Sequence, residues 1–301
     1  MPETAEIEEL YSVIEESAGQ LDVPCDRGKV MPILTAYESV VPVSAVAFRV
    51  ETSARRGNDL SCRLTMIPPG VDTVDIATSN GLMPRTDHPI GTLSSDISER
   101  CPIDNYGVDF GVVGGFTKTF QFFPPDDLQD IRKLVDIPTA PRALGENIDF
   151  FVRHGVDDQV ALTGMDYQHK TFNVYLKTAD GYLVPENIRA VLSDLGLPEP
   201  SEDLLRLGGQ AGGFYVTFRW DTSEIQRISF SAMTPDPKSV TNKLAPKIDQ
   251  LAKIAPSADA GAARMFICYV ASSPDGEYYK LLSFYRSQPE VVKLWGEYED
   301  N

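Results

Sequence analysis

A pair of strands that recurs five times along the chain limits its fold more than any other feature. Segments of alternating apolar and polar residues, each pair joined by a turn, lie at about 44–67, 105–123, 158–177, 213–233 and 264–286. Amphipathic helices are predicted between them, at 4–21, 28–40, 72–80, 90–100, 126–134, 140–154, 185–195, 200–207, 243–254 and 288–299. The unit is therefore helix, strand, strand, helix, with pairs starting roughly 50–60 residues apart.

Each predicted strand has an apolar and a polar face, because side chains alternate between the two sides of a strand. In "DLSCRLTM" the polar side carries Ser61, Arg63 and Thr65, and Met66 is expected on the apolar side with Leu64. In "GGFTKTFQFFP" one lysine stands in a row of phenylalanines, since the alternation gives one face Phe116, Lys118, Phe120 and Phe122. The apolar faces require a covering of helices.

The polar faces leave three arrangements open: an open sheet with one wetted face, two domains, or a closed barrel. These faces are rich in Tyr, Thr, Ser and Arg, whereas a solvated face usually carries Lys and Glu. This composition favours a closed barrel whose polar faces line a solvent-filled interior. The prediction is an α+β fold over 1–301, a single domain in which a ten-stranded antiparallel barrel is surrounded by helices.

Net charge excludes one class of partner. The chain carries a net charge of −17, which argues against nucleic acid, because that affinity depends on basic residues meeting phosphates. There is no long apolar run, so no transmembrane helix and no membrane partner are expected. The first residues are acidic and amphipathic, without the basic and apolar regions of a secretion signal.

Cysteine and motif searches point to a cytoplasmic protein without a cofactor. The four cysteines lie far apart and form no CxxC pair, as expected for reduced structural thiols. The three histidines have no metal-binding spacing. The glycine-rich "GGQAGG" at 208–213 leads into a strand and does not fit a dinucleotide site. No cofactor and no metal are therefore predicted.

Cations recur on the polar faces of different strand pairs. The set that would meet inside a barrel is Arg63, Lys118, Arg227 and Lys280. With Asn173 and Tyr215 nearby, they provide the several donors that a di- or triphosphate requires. Taken singly, each is more often a surface residue, so the argument depends on their repeated placement.

Aromatic residues share these faces. They are Phe120, Tyr175, Tyr215, Tyr278 and Phe284. Aromatic rings stabilise a cation through the electrons of their faces. Phosphate binders at one end and aromatic rings at the other predict an allylic diphosphate as ligand, although each ring taken alone is explained by core packing.

An acidic run gives a competing signal. "PPDDLQD" places Asp126, Asp127 and Asp130 in a DDxxD pattern, which holds magnesium in all-helical isoprenoid synthases. Here the run follows two prolines and opens a predicted helix, where acidic residues are favoured by the helix dipole. Helix capping is the preferred interpretation.

The chain resembles the ABBA-type aromatic prenyltransferases of the CloQ/NphB group over nearly its whole length. The resemblance is carried in order by "TDHPIGTL", "GGFTKTFQFFP", "MDYQHKTFNVYL", "YVTFRWDTSEIQRISF" and "EYYKLLSFYR". It implies a barrel of repeated αββα units that moves a prenyl group from an allylic diphosphate to an electron-rich aromatic ring. It also implies a diphosphate site at Lys118, Asn173, Tyr215, Arg227 and Lys280.

Further roles follow from the same resemblance. Magnesium-using members carry Asp at the position of Ser61 and a small residue at that of Arg63, whereas magnesium-independent members carry Arg there; metal-independent activity is therefore predicted. His169 replaces a family lysine and implies a weaker or pH-dependent phosphate contact. The prenyl and acceptor pocket is predicted to contain Phe120, Ala161, Tyr175, Gly213, Tyr215, Tyr278, Phe284, Val291 and Leu294.

The substrates implied are dimethylallyl or geranyl diphosphate and a small aromatic acceptor of the hydroxynaphthalene, quinone, phenazine or indole type. Family precedent predicts a monomer in secondary metabolism. Two alternatives stay open: a non-catalytic barrel that binds a phosphorylated or lipid-like ligand, and a cyclase-like use of the diphosphate without an acceptor.

Overall fold

A computed structural model describes residues 2–54, 57–240, 245–258 and 264–288. Its ten antiparallel strands are β1 (Ala45–Glu51), β2 (Ser61–Ile67), β3 (Asn105–Gly111), β4 (Gly115–Phe122), β5 (Val160–Asp166), β6 (Thr171–Lys177), β7 (Gly213–Phe218), β8 (Arg227–Thr234), β9 (Phe266–Ser273) and β10 (Gly276–Arg286). Each strand pairs with its neighbours in the sequence, and β10 pairs with β1, so the sheet closes on itself. The predicted barrel is confirmed.

Helices cover the outside of the barrel. They are α1 (Pro2–Gln20), α2 (Arg27–Ala36), α3 (Thr73–Ser79), α4 (Ile90–Ser98), α5 (Ile131–Val135), α6 (Arg142–Glu146), α7 (Ile148–Arg153), α8 (Pro185–Asp194), α9 (Glu202–Gly208) and α10 (Pro246–Ile254). The main apolar core lies between them and the outer faces of the strands, as Ile14, Phe151 and Phe230 illustrate. Within the described ranges, no helix is both long and apolar enough to cross a membrane.

Several helix predictions need correction. The predicted helix 126–134 begins only at Ile131, where Asp130 accepts a hydrogen bond from the Arg132 amide at 2.8 Å. Asp130 therefore caps the helix as expected, but Asp126 and Asp127 lie in the preceding turn. The predicted helix 140–154 is broken at Asn147, whose side-chain amide donates to the carbonyls of Ala143 and Ser223. The predicted helix 288–299 lies almost wholly outside the described residues.

Bulges overturn two predicted side-chain directions. The register of β4 against β3 shifts between Lys118 and Phe116, so Phe116 leaves the face of Lys118 and stacks outside the barrel on Tyr37. A second shift, in β2, brings Met66 from the predicted outer side to the inner one. An extra residue in one strand changes the side of the residues next to it. The simple alternation was therefore wrong at Phe116 and Met66.

Candidate active site

The inner surface of the barrel, called the lumen below, is divided along its axis. One half, the charged end, carries Arg49, Glu51, Arg63, Asp109, Lys118, Asp166, Arg227 and Lys280. The other half, the apolar end, holds two small clusters of side chains: Ala45, Ala47, Met66, Tyr215, Met233, Met265, Ile267, Tyr269, Leu282 and Phe284 in one, and Phe120, Phe122, Leu128, Ala161, Leu162, Tyr175 and Tyr215 in the other. The halves follow from strand position, since inward residues lie two apart along each strand.

Two arginines share one carboxylate at the charged end. Asp109 is fully buried and accepts from Arg63 Nε at 2.7 Å, from Arg63 Nη2 at 3.0 Å and from Arg49 Nη1 at 2.8 Å. Burial raises the pKa of Asp109, but the charges of Arg49 and Arg63 outweigh burial and hold that pKa well below its usual range. The triad is therefore ionised and rigid, and it keeps one positive charge in excess.

Arg63 also stacks on an aromatic ring. Its guanidinium carbon lies 4.4 Å from the centroid of the Phe120 ring. Gly164 leaves room for that ring, because a Cβ there would lie only 3.0 Å from Phe120 Cδ1. Arg63, the Phe120 ring and Gly164 therefore lie together where the charged and apolar ends meet.

Lys118 lies against a second carboxylate. Its Nζ is 3.3 Å from Asp166 Oδ2, and His169 Nδ1 is 3.1 Å from Asp166 Oδ1. The Asp166 side chain is held from the other side by the His169 amide, which donates to it at 3.0 Å. The turn between β5 and β6 thus positions Asp166 beside Lys118, with the His169 side chain one-third exposed at the mouth of the charged end.

A chain of polar groups places Arg227. Asn173 donates to the Gly164 carbonyl at 3.3 Å and accepts from Thr217 Oγ1 at 2.7 Å, and Arg227 Nη2 donates to Thr217 Oγ1 at 2.9 Å. Among the described residues, the buried Nε atoms of Arg49 and Arg227 have no hydrogen-bond partner. Buried donors are rarely left unpaired, so both fit an anion entering the charged end.

Lys280 and Glu51 are cross-strand neighbours in β10 and β1. Burial and the nearby guanidinium of Arg227 lower the pKa of Lys280 well below its usual value, against the opposing effect of Glu51. Its ammonium lies 5.3 Å from the ring centroid of Tyr278, and Arg227 lies 5.8 Å from the same centroid. Tyr278 therefore belongs with the cations and not with the apolar end, where the sequence analysis placed it.

Glu51 predicts an acid-sensitive contribution to stability. Burial raises its pKa, but Lys280 and Arg49 outweigh burial and lower the pKa from 4.5 to about 2. A depressed carboxyl pKa stabilises the fold above its unfolded value, and the contribution is lost as the pH falls through the folded value. Between pH 4.5 and 2, Glu51→Gln should therefore flatten the fall in unfolding free energy by up to about 1.4 kcal/mol per pH unit.

Urea unfolding at a series of pH values checks this expectation. Glu38→Gln, at an exposed position on the surface, is the matched control and should leave the slope as in the wild type. An unchanged slope in Glu51→Gln would contradict the assignment.

The apolar end brings together most of the predicted pocket residues. The Tyr175 and Tyr215 rings lie 4.5 Å apart at 40°, and Phe120, Ala161 and Phe284 complete the walls. Burial raises the pKa of both tyrosines, so both phenols stay protonated at neutral pH and cannot act as general bases there. Gly213 lies at the edge of β7, where a Cβ would meet the Leu176 carbonyl oxygen. Val291 and Leu294 lie outside the described residues.

Sequence reasoning missed four charged groups in the lumen: Arg49, Glu51, Asp109 and Asp166. The signal for Arg49 and Glu51 was present, because they share one face of β1 with Ala45 and Ala47 and alternate with Val46, Phe48 and Val50. The two alanines at the start of that face hid its polar half. Asp109 and Asp166 could have been found as the cross-strand partners of Arg63 and Lys118.

Magnesium has a poor set of ligands here. Both carboxylate oxygens of Asp109 are held by arginines, and Ser61 offers a hydroxyl and not a carboxylate. Magnesium prefers carboxylate and water oxygens in octahedral geometry. Among the described residues, no group of three or more His, Cys, Asp or Glu side chains could hold a metal ion.

A separate cavity of about 890 Å³ lies outside the barrel between α3 and α4. The "TDHPIGTL" segment contributes Thr86, Ile90 and Gly91 to its wall, and Tyr106 and Tyr167 also line it. It contains none of the predicted site residues. The lumen, where the cations and aromatic rings meet, is therefore the candidate active site.

Comparison with known proteins identifies the family. The family model described as aromatic prenyltransferase Orf2 matches residues 5–296. The chain belongs to this family. The expected family, the barrel fold and the prenyltransferase class are thereby confirmed for this aromatic prenyltransferase.

Three relatives of this aromatic prenyltransferase match along most of their length. It is 42% identical over 295 residues to 5,10-dihydrophenazine-1-carboxylate 9-dimethylallyltransferase of Streptomyces anulatus, with 98% of each chain covered. It is 41% identical over 287 residues to flaviolin linalyltransferase of Streptomyces virginiae, with 95% of this chain and 94% of the relative covered. It is 40% identical over 282 residues to a furaquinocin biosynthesis prenyltransferase of Streptomyces sp. (strain KO-3988), covering 93% and 91%.

Proposed function

We propose that this prenyltransferase moves a dimethylallyl or geranyl group from its diphosphate to an electron-rich, polycyclic aromatic acceptor without requiring magnesium. One observation carries the proposal: single strand faces run from the charged end to the apolar end, as in Lys118–Phe120–Phe122 and Lys280–Leu282–Phe284. A diphosphate held by the cations would direct its chain along these faces. Relatives named for a phenazine and for flaviolin make fused-ring acceptors of the phenazine or naphthoquinone type the first choice.

The diphosphate binds at the charged end in this proposal. Lys118, Arg227 and Lys280 neutralise it, with Arg49 and Arg63 completing the set. Asn173 and Tyr215 supply neutral donors, and His169 contacts it at the mouth. Charge-assisted hydrogen bonds are stronger than neutral ones, which suits a multivalent anion. The two guanidinium Nε atoms without partners are the donors that the ligand would satisfy.

Chemistry takes place where the two ends meet. The bond between C1 and oxygen breaks, and its electron pair leaves with the diphosphate. The allyl cation forms beside Phe120, Tyr175 and Phe284, whose ring faces stabilise positive charge. A ring carbon of the acceptor donates its π electrons to C1, and the resulting arenium ion loses its proton to diphosphate or water. Holding the two reactants in line is the main catalytic contribution.

Arg63 takes the electrostatic role that a metal ion fills elsewhere. A fixed positive charge beside the oxygen where negative charge develops lowers the activation barrier for release of the diphosphate. Asp109 and the Phe120 ring hold the guanidinium in place. Reaction in excess EDTA is therefore expected to proceed at the rate found with magnesium.

The pH dependence of catalysis should report Lys280. Because burial lowers its pKa, this lysine loses its proton at a lower pH than an exposed lysine does, and diphosphate binding weakens with that loss. We expect an alkaline fall in kcat/KM for the diphosphate that moves to higher pH in Lys280→Arg, since arginine stays charged. Lys170→Arg, at an exposed turn, should leave the profile unchanged. An alkaline fall in kcat/KM at the same pH in Lys280→Arg and Lys170→Arg would contradict this role of Lys280.

Mass spectrometry tests the reaction itself. Dimethylallyl or geranyl diphosphate is incubated with a dihydroxynaphthalene, a phenazine or an indole, with EDTA or with magnesium, and pyrophosphate release is followed in parallel. A prenylated acceptor in EDTA, absent with Lys118→Ala, supports the proposal. Pyrophosphate release without prenylated acceptor would favour cyclase-like chemistry, and no release with any pair would favour a non-catalytic binding barrel.

Cellular context is part of the same proposal. We place the protein in the cytoplasm as a monomer with one catalytic domain over 1–301, acting in secondary metabolism. All four cysteines are free thiols, as suits a reducing compartment. Light scattering of the purified protein checks the monomer.

A further inference from the structure

A bulge in β2 turns one methionine into the apolar end of the lumen. Leu64 pairs with Val108 and Ile67 pairs with Tyr106, so the two residues between them, Thr65 and Met66, both stand opposite Gly107. In an unbroken strand, Met66 would point outward with Leu64. The extra residue sends it inward instead.

The backbone of Met66 is strained by this arrangement. Its φ is +63°, a left-handed conformation that glycine adopts readily and a methionine rarely does. Gly107 on the facing strand makes room for the bulge. A Cβ there would lie 2.9 Å from Thr65 Cγ2 and 3.0 Å from the Leu64 carbonyl oxygen. Strained residues persist where the surroundings fix them, and they cluster at functional sites.

The Met66 side chain meets the wall of the apolar end that contains two alanines. It packs on the cluster that contains Ala45, Ala47, Leu282 and Phe284. Met66 stays partly exposed although it points into the barrel, so it borders open space. A long, flexible side chain beside two alanines therefore controls how much room that wall leaves.

We infer that Met66 is a specificity-determining residue, which sets the size of the aromatic acceptor that the apolar end admits. The inference rests on the proposed function, and it places the acceptor in the apolar end beside the prenyl chain. Truncating Met66 opens space for an additional ring, while the cations of the charged end keep their positions. Selection by pocket volume is worth about 10- to 200-fold per methylene group.

Two truncations separate volume from strain. Met66→Ala and Met66→Gly both open the pocket, but only glycine relieves the left-handed backbone. In both variants, the ratio of kcat/KM for a three-ring phenazine to that for a two-ring dihydroxynaphthalene should rise at least about tenfold. Met66→Gly should also melt at a higher temperature than Met66→Ala. Cys62→Ala, a truncation on the outer face of the same strand, is the matched control and should leave the ratio unchanged.

The outcomes distinguish this inference from the proposed function. An active wild type with unchanged acceptor ratios in both Met66 variants would overturn the inference alone. A wild type that releases no pyrophosphate with any donor and acceptor would overturn the proposed function and the inference with it. A Met66→Gly variant that melts at a lower temperature than Met66→Ala would contradict the left-handed backbone at Met66. The inference would fail with it, because that backbone conformation belongs to the bulge.

Discussion

Replacing Arg63 with serine is expected to lower kcat for prenyl transfer about a hundred- to a thousandfold, the usual loss when one donor to a developing anion is removed. Arg63 both contacts the Phe120 ring and pairs with the shared carboxylate of Asp109, and the proposed function puts the leaving diphosphate and the allyl chain beside it. Steady-state kinetics with EDTA throughout measures the loss.

A double variant makes the electrostatic role specific. Ser61→Asp combined with Arg63→Ser introduces the residue types expected in magnesium-using relatives. The new carboxylate at position 61 is the ligand that magnesium prefers. Its activity should recover with millimolar magnesium and disappear in EDTA, whereas Arg63→Ser alone should respond little to the metal. Full, EDTA-resistant activity in Arg63→Ser would refute the role of Arg63.

Asp109→Asn is expected to lower the free energy of unfolding by about 3–5 kcal/mol, because removing one partner of a buried ion pair leaves the others uncompensated. The Arg49 and Arg63 side chains are only 6% and 13% exposed, so water offers little replacement for the lost carboxylate. Denaturant unfolding at neutral pH measures the change. Asp221→Asn, which breaks an exposed pair with Arg219, is the matched control and should change little.

A double-mutant cycle identifies the cause of that loss. Arg49→Met removes one of the two stranded charges, so Arg49→Met with Asp109→Asn should cost less than the sum of the single changes. Two outcomes would contradict a stabilising role of the ion triad. One is simple additivity of the two losses in unfolding free energy, and the other is an Asp109→Asn loss no larger than that of the control.

Local sequence patterns predicted much of the fold because they depend on local physics. Alternation of side chains identified all five strand pairs, and the outer helices follow from the apolar faces that need covering, as Phe172 and Phe230 show. It failed at Phe116 and Met66, because a bulge is decided by the pairing with a neighbouring strand. Gly107, which makes room for the β2 bulge, lies 41 residues from Met66 in the chain, beyond any local sequence window.

The candidate site divides in the same way. The residue types of Lys118, Arg227 and Lys280 were visible as inward cations, and the barrel brings them to one end. Their carboxylate partners were not predicted, because cross-strand pairing decides which acid meets which base. Asp109 and Asp166 hold cations in fixed positions. They also make the net positive charge of the charged end smaller than the cations alone would give.

The uneven distribution of charge has a consequence for how the substrate arrives. Among the described residues, the charged end has five cations and three carboxylates, whereas the whole chain carries −17. An anionic diphosphate therefore approaches a repelling exterior and is attracted only at the mouth of the barrel. Because salt shortens the reach of charge to about 8 Å at physiological ionic strength, modest salt should speed the encounter. The same exterior repels small cellular phosphates as well, so the approach gives the substrate no advantage over them, and selectivity has to come from the prenyl chain that the apolar end is proposed to bind.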